Sequence, residues 1–376
     1  MIRAWAFTAL LLAVSSLEAQ APIPAPPQIG ASSYMLLDFS SGQALAMSNA
    51  DERVEPASLT KLLTAYTVFH ALRRGQISLE DETLVSERAW RMEGSRMFIE
   101  VGTRVSVENL LRGMIIQSGN DASVALAEHV AGTEDAFVDL MNQHAVLLGM
   151  TDSAFMNTTG LPAEGHYVTA RDVATLARGI IAEFPEYYGW YSEQHFTYNE
   201  ISQYNRNSLL GRDESVDGLK TGHTEAAGYC LVTSAERSGM RLISVVTGMS
   251  STRAREDGSL ALLNYGYRNF ETHKLYGAGE PVTSARVWKG DPQEIALGLT
   301  EDIFVTVPRG RYDALEAVMN FSAELMAPLA DGAPVGEVRI SLDDDEISTA
   351  SLVALQAVGE ANFWTRIKDE ITLWMQ

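Results

Sequence analysis

A chain of 376 residues is longer than one hydrophobic core usually organises, so its length predicts two domains. A formal charge of −21, with no basic stripe or aromatic RNA-binding motif to offset it, excludes non-specific nucleic-acid binding; solubility or adaptation to salt is its plainest meaning. The single cysteine, Cys230, excludes a disulfide framework and a multi-cysteine zinc site, and its apolar, strand-like surroundings predict a buried thiol.

The N-terminus carries Arg3, a mostly apolar run from Ala4 to Val14, then small residues and Leu17-Glu18-Ala19. That pattern predicts a secretory leader, residues 1–19, cleaved after Ala19. An uncleaved anchor is the alternative, although the apolar run is short for crossing a bilayer. Residues 20–31 form a proline-rich, extended lead-in. Export without disulfides points to a periplasm or cell-wall space rather than the cytosol.

"SYMLLDFSSGQALAMSN" predicts two strands about a turn at residues 40–42. "EPASLTKLLTAYTVFHALRRG" predicts a helix with Pro56 in its first turn, one apolar stripe of Leu59, Leu62, Leu63, Tyr66 and Phe69, and Gly75 at its end. "VSVENLLRGMIIQSGNDASVALAEHVAG" predicts two helices meeting at Ser118-Gly119-Asn120, and Thr133 caps a further helix. From Asp217, three strand-like runs precede a helix from about Thr252 to Phe270. Strands at both ends of a helical middle predict one sheet built from N- and C-terminal segments, with a helical cluster against it.

Beyond residue 272 short β-rich runs separated by Gly, Pro and Asp predict a small second domain over 273–358, and "LDDDE" reads as a solvated loop. The terminal segment, 359–376, is helical in period. At about 100° per residue Phe363, Trp364, Ile367, Ile371, Trp374 and Met375 share one arc of roughly 120°. Thr365, Arg366, Lys368, Asp369 and Thr372 fall outside it, with Leu373 the apolar exception and Glu370 at the margin. Such a face suits a membrane surface, or else packs on the second domain or a partner.

The chain prefers arginine; its lysines are Lys61, Lys220, Lys274, Lys289 and Lys368 alone. Arginine cannot lose its proton in a protein, whereas lysine can when its surroundings lower its pKa. Lys61 follows Ser58 by three residues, which places both on one helix face. A neutral lysine there can take the serine proton, and the helix N-terminus favours a developing oxyanion. Ser58-x-x-Lys61, Ser118-x-Asn120 and Lys220-Thr221-Gly222 are each the sole example of their pattern, and they occur in that order. Each is a weak signal alone; together they match the motif set of penicillin-recognising serine enzymes.

"ASLTKLLTAY", "LLRGMIIQSGNDASVALAEHVAG", "YVTARDVATLA" and "VDGLKTGHTEAAGYCLV" resemble stretches of the low-molecular-mass penicillin-binding proteins of the D-alanyl-D-alanine carboxypeptidase type. The resemblance runs from about Ser32 to the C-terminus. It implies a multi-domain α+β fold: a β-lactamase/transpeptidase-like catalytic domain over 32–272, the small β-rich domain, and a terminal amphipathic helix on the outer face of the cytoplasmic membrane. It implies Ser58 as nucleophile, Lys61 as its base, Ser118 as proton relay and Asn120 as holder of the substrate amide. Lys220 then supplies positive charge beside Ser118, Thr221 meets the substrate carboxylate, and Gly222 lets the strand edge approach the peptide. The backbone N–H groups of Ser58 and His223 form the oxyanion hole. Arg255 is the distal carboxylate-binding arginine, and Asp172 and Arg206 form a supporting pair beneath the site; incidental ion pairs are the alternative for these three. The implied partners are peptidoglycan stem peptides, with β-lactam antibiotics as inhibitors, and no cofactor.

His70, His129, His144 and His166 have no partner at metal-ligand spacing, which disfavours a zinc carboxypeptidase. A serine β-lactamase shares the three motifs, but the Glu-x-x-x-Asn pattern that activates its deacylating water is not met, since Glu164 is followed at that spacing by Val168. An endopeptidase or transpeptidase would use the same residues, and an inactive scaffold is disfavoured by the complete set.

Overall fold

The computed structural model describes residues 23–375; the leader expected at 1–19 lies outside them. Strands β1 (Ser33–Asp38) and β2 (Ala44–Ser48) form a hairpin. Strands β3 (Val216–Thr224), β4 (Gly228–Arg237) and β5 (Met240–Met249) complete an antiparallel sheet in the order β2-β1-β5-β4-β3. The sheet therefore joins the two ends of the domain, with Leu36 of β1 opposite Ser244 of β5.

Every residue of β1 is buried because both sheet faces are covered. Met35 and Leu37 pack into the core shared with α1 (Thr60–Arg73), α2 (Val107–Ile116), α3 (Asn120–Ala131), α4 (Glu134–Leu147) and α5 (Ala170–Glu183). Tyr34 and Leu36 alternate to the other face, where they meet Leu262, Leu263 and Tyr267 of α6 (Thr252–Asn269). Side-chain oxygens of Ser106, Thr133, Thr169 and Ser251 each accept a backbone N–H at the start of α2, α4, α5 and α6. Each such cap is worth about 1 kcal/mol.

Helix α1 differs from the expected single-stripe helix. Besides the apolar stripe, Thr60, Lys61, Thr64 and Thr67 are also buried. The helix runs through the middle of the cluster; Thr64 Oγ donates to Thr158 O (2.8 Å) and Thr60 Oγ bonds to His166 Nε2 (3.1 Å), while the Thr67 hydroxyl has no partner among the described residues. Nor does the helix begin at Pro56: a short 3₁₀ turn, Ala57–Leu59, precedes it and carries Ser58.

Strand β6 (Phe270–Tyr276) pairs with β9 (Ile303–Pro308). Beyond them β7 (Thr283–Trp288), β8 (Glu294–Gly298), β10 (Leu315–Phe321), β11 (Leu325–Met326), β12 (Pro334–Leu342) and β13 (Asp345–Ala354) form a sheet ordered β10-β12-β13-β8-β7-β11. Its core is separate and includes Val287, Leu297, Val338, Ile340 and Leu352. The "LDDDE" stretch is a tight hairpin between β12 and β13, with Asp343 and Asp344 both at positive φ, a conformation that aspartate tolerates better than most residues. The two bodies are joined through Asp38: it accepts from Ser41 and Thr272, and both hydroxyls also bond to Thr306. The chain ends in α7 (Phe363–Trp374).

Candidate active site

The backbone before Ser58 is unusual. Ala57, buried, has φ +47, in the left-handed region where a side chain costs about 1–3 kcal/mol. The surrounding packing holds it there. Gly160, at φ +84, comes so close that a Cβ built on it would lie 1.7 Å from Ala57 O. On the other side Gly222 of β3 packs against Ala57, and Thr224 Oγ donates to Glu55 (2.9 Å), tying the end of β3 to the Ser58 turn. Ser58 itself is only partly covered and lines a cleft of about 370 Å³.

Lys61 is 1% exposed. Its Nζ lies 3.3 Å from Ser58 Oγ, 2.6 Å from Asn120 Oδ1 and 2.6 Å from Thr159 O. A neutral amine has two N–H donors and one lone pair. The two acceptors, Asn120 and Thr159, take both donors, which leaves the lone pair for the Ser58 hydroxyl proton. Burial lowers the Lys61 pKa to about 7, against a smaller upward pull from Asp121, so the neutral form is well populated near neutral pH.

Ser118 lines the same cleft from the junction of α2 and α3, at φ +67. It is 4% exposed, and its hydroxyl has no hydrogen-bond partner among the described residues, which is uncommon for a buried polar atom and typical of one kept for chemistry. Asn120 opens α3; while its Oδ1 accepts a hydrogen bond from Lys61, its Nδ2 donates to Glu93 O (2.5 Å). Thr221, Gly222 and His223 line the facing wall on β3, and the His223 ring packs on Tyr229 at 4.1 Å.

Lys220 is buried and donates to Thr221 O (3.2 Å); no hydrogen bond joins it to Ser118. Burial pushes its pKa well down, and Lys61, Arg255 and Arg206 push the same way. Positive charge at Lys220 is therefore costly until an anion enters the cleft. Arg255, on α6, lines the cleft and donates to Gly222 O (3.2 Å) and Cys230 O (3.4 Å), with its buried Nε unpartnered. Cys230 is a buried free thiol, its pKa raised by burial.

The expected Asp172–Arg206 pair is not formed. The Asp172 carboxylate is satisfied locally: it sits in the first turn of α5 and accepts from Asp152 N (2.9 Å) and Ser153 Oγ (2.7 Å). Arg206 instead lines the cleft and donates to Ser95 Oγ (3.2 Å) on the opposite wall. With Arg255 it makes the cleft cationic. Among the described residues no carboxylate belongs to the lining, and Glu164 is exposed outside it.

The pattern of the family described as D-alanyl-D-alanine carboxypeptidase matches residues 20–251. The chain is 44% identical over 360 residues to the D-alanyl-D-alanine carboxypeptidase DacA of Escherichia coli strain K12, covering 93% of this chain and 89% of that one. The chain belongs to the D-alanyl-D-alanine carboxypeptidase family. Residues 270–360 match the C-terminal domain of penicillin-binding protein 5. Penicillin-binding protein 5 from Haemophilus influenzae superimposes with a TM-score of 0.86 at 44% identity, over 90% of this chain and 100% of that one. A further member of the penicillin-binding group, penicillin-binding protein D2 from Listeria monocytogenes, is known in an ampicillin-bound form; it shares 30% identity and a TM-score of 0.60, over 65% of this chain and 100% of that one.

Against that family frame, several residues of the site are silent in the sequence. Thr159 acts through a backbone carbonyl, which any residue carries. Only the turn that presents it leaves a trace: Asn157 Oδ1 accepts from Thr159 N (3.1 Å) and Gly160 N (2.8 Å), and an Asn two or three residues ahead of a Gly is a turn signal. Asp121 is the other. Its carboxylate accepts the backbone N–H groups of Met97, Phe98 and Ile99, clamping the loop that carries Gly94 and Ser95 to the start of α3.

Proposed function

We propose that the chain is a serine-type D-alanyl-D-alanine carboxypeptidase that removes the terminal D-alanine of peptidoglycan pentapeptide stems. The observation that carries this reading is the buried Lys61 Nζ held by Asn120 Oδ1 and Thr159 O at 3.3 Å from Ser58 Oγ, where its neutral form turns a lone pair to the serine. In the proposed reaction Ser58 Oγ attacks the carbonyl of the penultimate D-alanine, and Lys61 takes its proton. The N–H groups of Ser58 and His223 receive the oxyanion. The Ser118 hydroxyl, backed by Lys220, relays to the departing nitrogen the proton that Lys61 took from Ser58, so that Ser118 and Lys61 both end the step as they began it. Thr221, Arg255 and Arg206 meet the terminal carboxylate, whose arrival restores the charge on Lys220. Water then releases the shortened stem from Ser58.

Mass spectrometry of products from a pentapeptide muropeptide is expected to show loss of one D-alanine, abolished in Ser58→Ala. Cleavage of a cross-linked dimer with the pentapeptide left untouched would replace carboxypeptidase by endopeptidase.

The same reading extends to location: export by the leader at 1–19, then attachment of the periplasmic chain to the outer face of the cytoplasmic membrane through α7. No helix of the described residues is long and apolar enough to cross a bilayer. Support for a surface contact comes from Phe363, Trp364, Ile371, Trp374 and Met375, all exposed and on one face. Most of the nearby charges are paired within the chain, Arg366 with Glu360 and Lys289 with Glu370, while Lys368 is exposed and has no ion pair among the described residues. Binding is therefore expected to rest on apolar burial and to resist salt. Co-sedimentation with liposomes should be lost in a chain ending at Gly359. Equal sedimentation of both forms would refute the anchor, and full release by salt would refute the apolar mechanism.

A further inference from the structure

The terminal helix has two faces, and the structure accounts for both. Thr365, Asp369, Thr372 and Leu373, at helical spacing, are the covered residues; the aromatic and aliphatic arc points outward. Of the residues outside that arc, Arg366, Lys368 and Glu370 stay exposed while Thr365, Asp369 and Thr372 are covered. Asp369 is 0% exposed. Its carboxylate accepts from Arg286 Nη2 (2.9 Å), from the backbone N of Lys289 (2.7 Å) and from Gln293 Nε2 (3.3 Å), all on or just beyond the end of β7. The segment leading into the helix is fixed as well: Ala361 N donates to Lys289 O (2.8 Å), and Gly290 and Asp291 pair with Glu360 and Gly359.

A buried carboxylate is costly unless it is paired and fully hydrogen-bonded, and this one is both. Removing either partner leaves a buried charge or orphaned donors. The docked orientation is therefore a specific state, and the lone apolar residue on the docked side, Leu373, is too little to hold the helix by itself.

We propose that Asp369 is a latch that fixes α7 on the second domain with its apolar face outward, so that the membrane contact is a rigid foot of the folded body and not a flexible tether. The proposal rests on the membrane reading above and adds a geometry to it. The lipid surface is the occupant of the outward face because the helix charges other than Lys368 are neutralised within the chain while two tryptophans, a phenylalanine and two isoleucines are left facing out. The catalytic domain meets the second domain elsewhere, on β6 and β9 through Thr272 and Thr306. A latched foot therefore holds the Ser58 cleft at one height above the bilayer.

The test compares the chain from Gln20 onward with Asp369→Ala and Arg286→Met, which break the latch from its two sides. Vesicles of phosphatidylethanolamine and phosphatidylglycerol carry an acceptor-labelled lipid, and a fluorescent penicillin on Ser58 is the donor. The intact chain is expected to give a single, narrow transfer distance. Both variants should still sediment with vesicles, since the apolar arc is untouched, but with a broadened distance and trypsin cleavage at Arg366 and Lys368 about tenfold faster or more, in solution and on vesicles alike. Unchanged transfer and cleavage in both variants overturns the latch while the membrane reading stands. Failure of the intact chain to sediment overturns the membrane reading and the foot with it.

Discussion

Lys61→Arg is expected to lower the rate of Ser58 acylation by about 10²–10⁴-fold, roughly 3–5 kcal/mol in barrier, although the positive charge is kept. Arginine does not deprotonate in the accessible pH range, so the lone pair that faces Ser58 Oγ is lost. The wild-type rate should rise with pH through a value near 7, because burial lowers Lys61 to about 7 and only its neutral form can accept the serine proton. The direction is fixed by the role: lowering the pH protonates the base and slows acylation. Stopped-flow acylation by a chromogenic β-lactam, across pH for both forms, measures this. A Lys61→Arg rate above about a tenth of wild type, less than ~1.4 kcal/mol of barrier, would contradict the base assignment.

Gly160→Ala should be the most damaging single-methyl change in the catalytic domain. Its φ of +84 already disfavours a side chain, and the added Cβ would overlap Ala57 O and approach Thr60 Oγ (2.9 Å). The two turns must separate, which displaces both Ser58 and the Thr159 carbonyl that takes a Lys61 proton. A shift on the order of 1 Å in a reacting group can cost about 10²-fold in rate. A drop of that size in acylation is expected, with a lowered thermal midpoint. Gly165→Ala is the control: its φ is +79, but its Cβ would meet only Met156 Sδ at 3.9 Å. It should cost about 1 kcal/mol or more of backbone strain and leave acylation intact. Equal acylation rates for the two variants would show that the Ala57–Gly160 contact does not position the nucleophile.

Much of this site was legible because its chemistry is local. Ser58 and Lys61 share one turn, Ser118 and Asn120 share a helix junction, and Lys220, Thr221 and Gly222 lie along one strand; short spacing records all three. The closure of the sheet was legible from strand patterns at both ends of a helical middle. What sequence could not carry is contact between distant segments through backbone atoms. The Thr159 carbonyl on Lys61, the Gly160–Ala57 contact and the Asp121 clamp on residues 97–99 leave almost no mark in residue type. The Asp172–Arg206 pairing failed for a related reason, since charge alone does not reveal that Ser153 and the Asp152 backbone already satisfy the carboxylate. Helix α1 looked half-exposed because threonine reads as polar, yet Thr64 finds the Thr158 carbonyl and Thr60 the His166 ring inside the cluster. Asp369 misled in the same way, as a charge that pattern assigns to water and that the fold buries against Arg286.

The central claim is a covalent acyl-enzyme on Ser58, and peptide mapping after exposure to benzylpenicillin tests it most directly. Trypsin cuts after Arg53 and Lys61, so the serine falls in the peptide Val54–Lys61. The account predicts that this peptide gains the mass of one whole penicillin molecule, that Ser58→Ala abolishes the gain, and that the adduct clears slowly because no carboxylate among the described residues lines the cleft to activate water. No adduct, or an adduct on any other peptide, would contradict it.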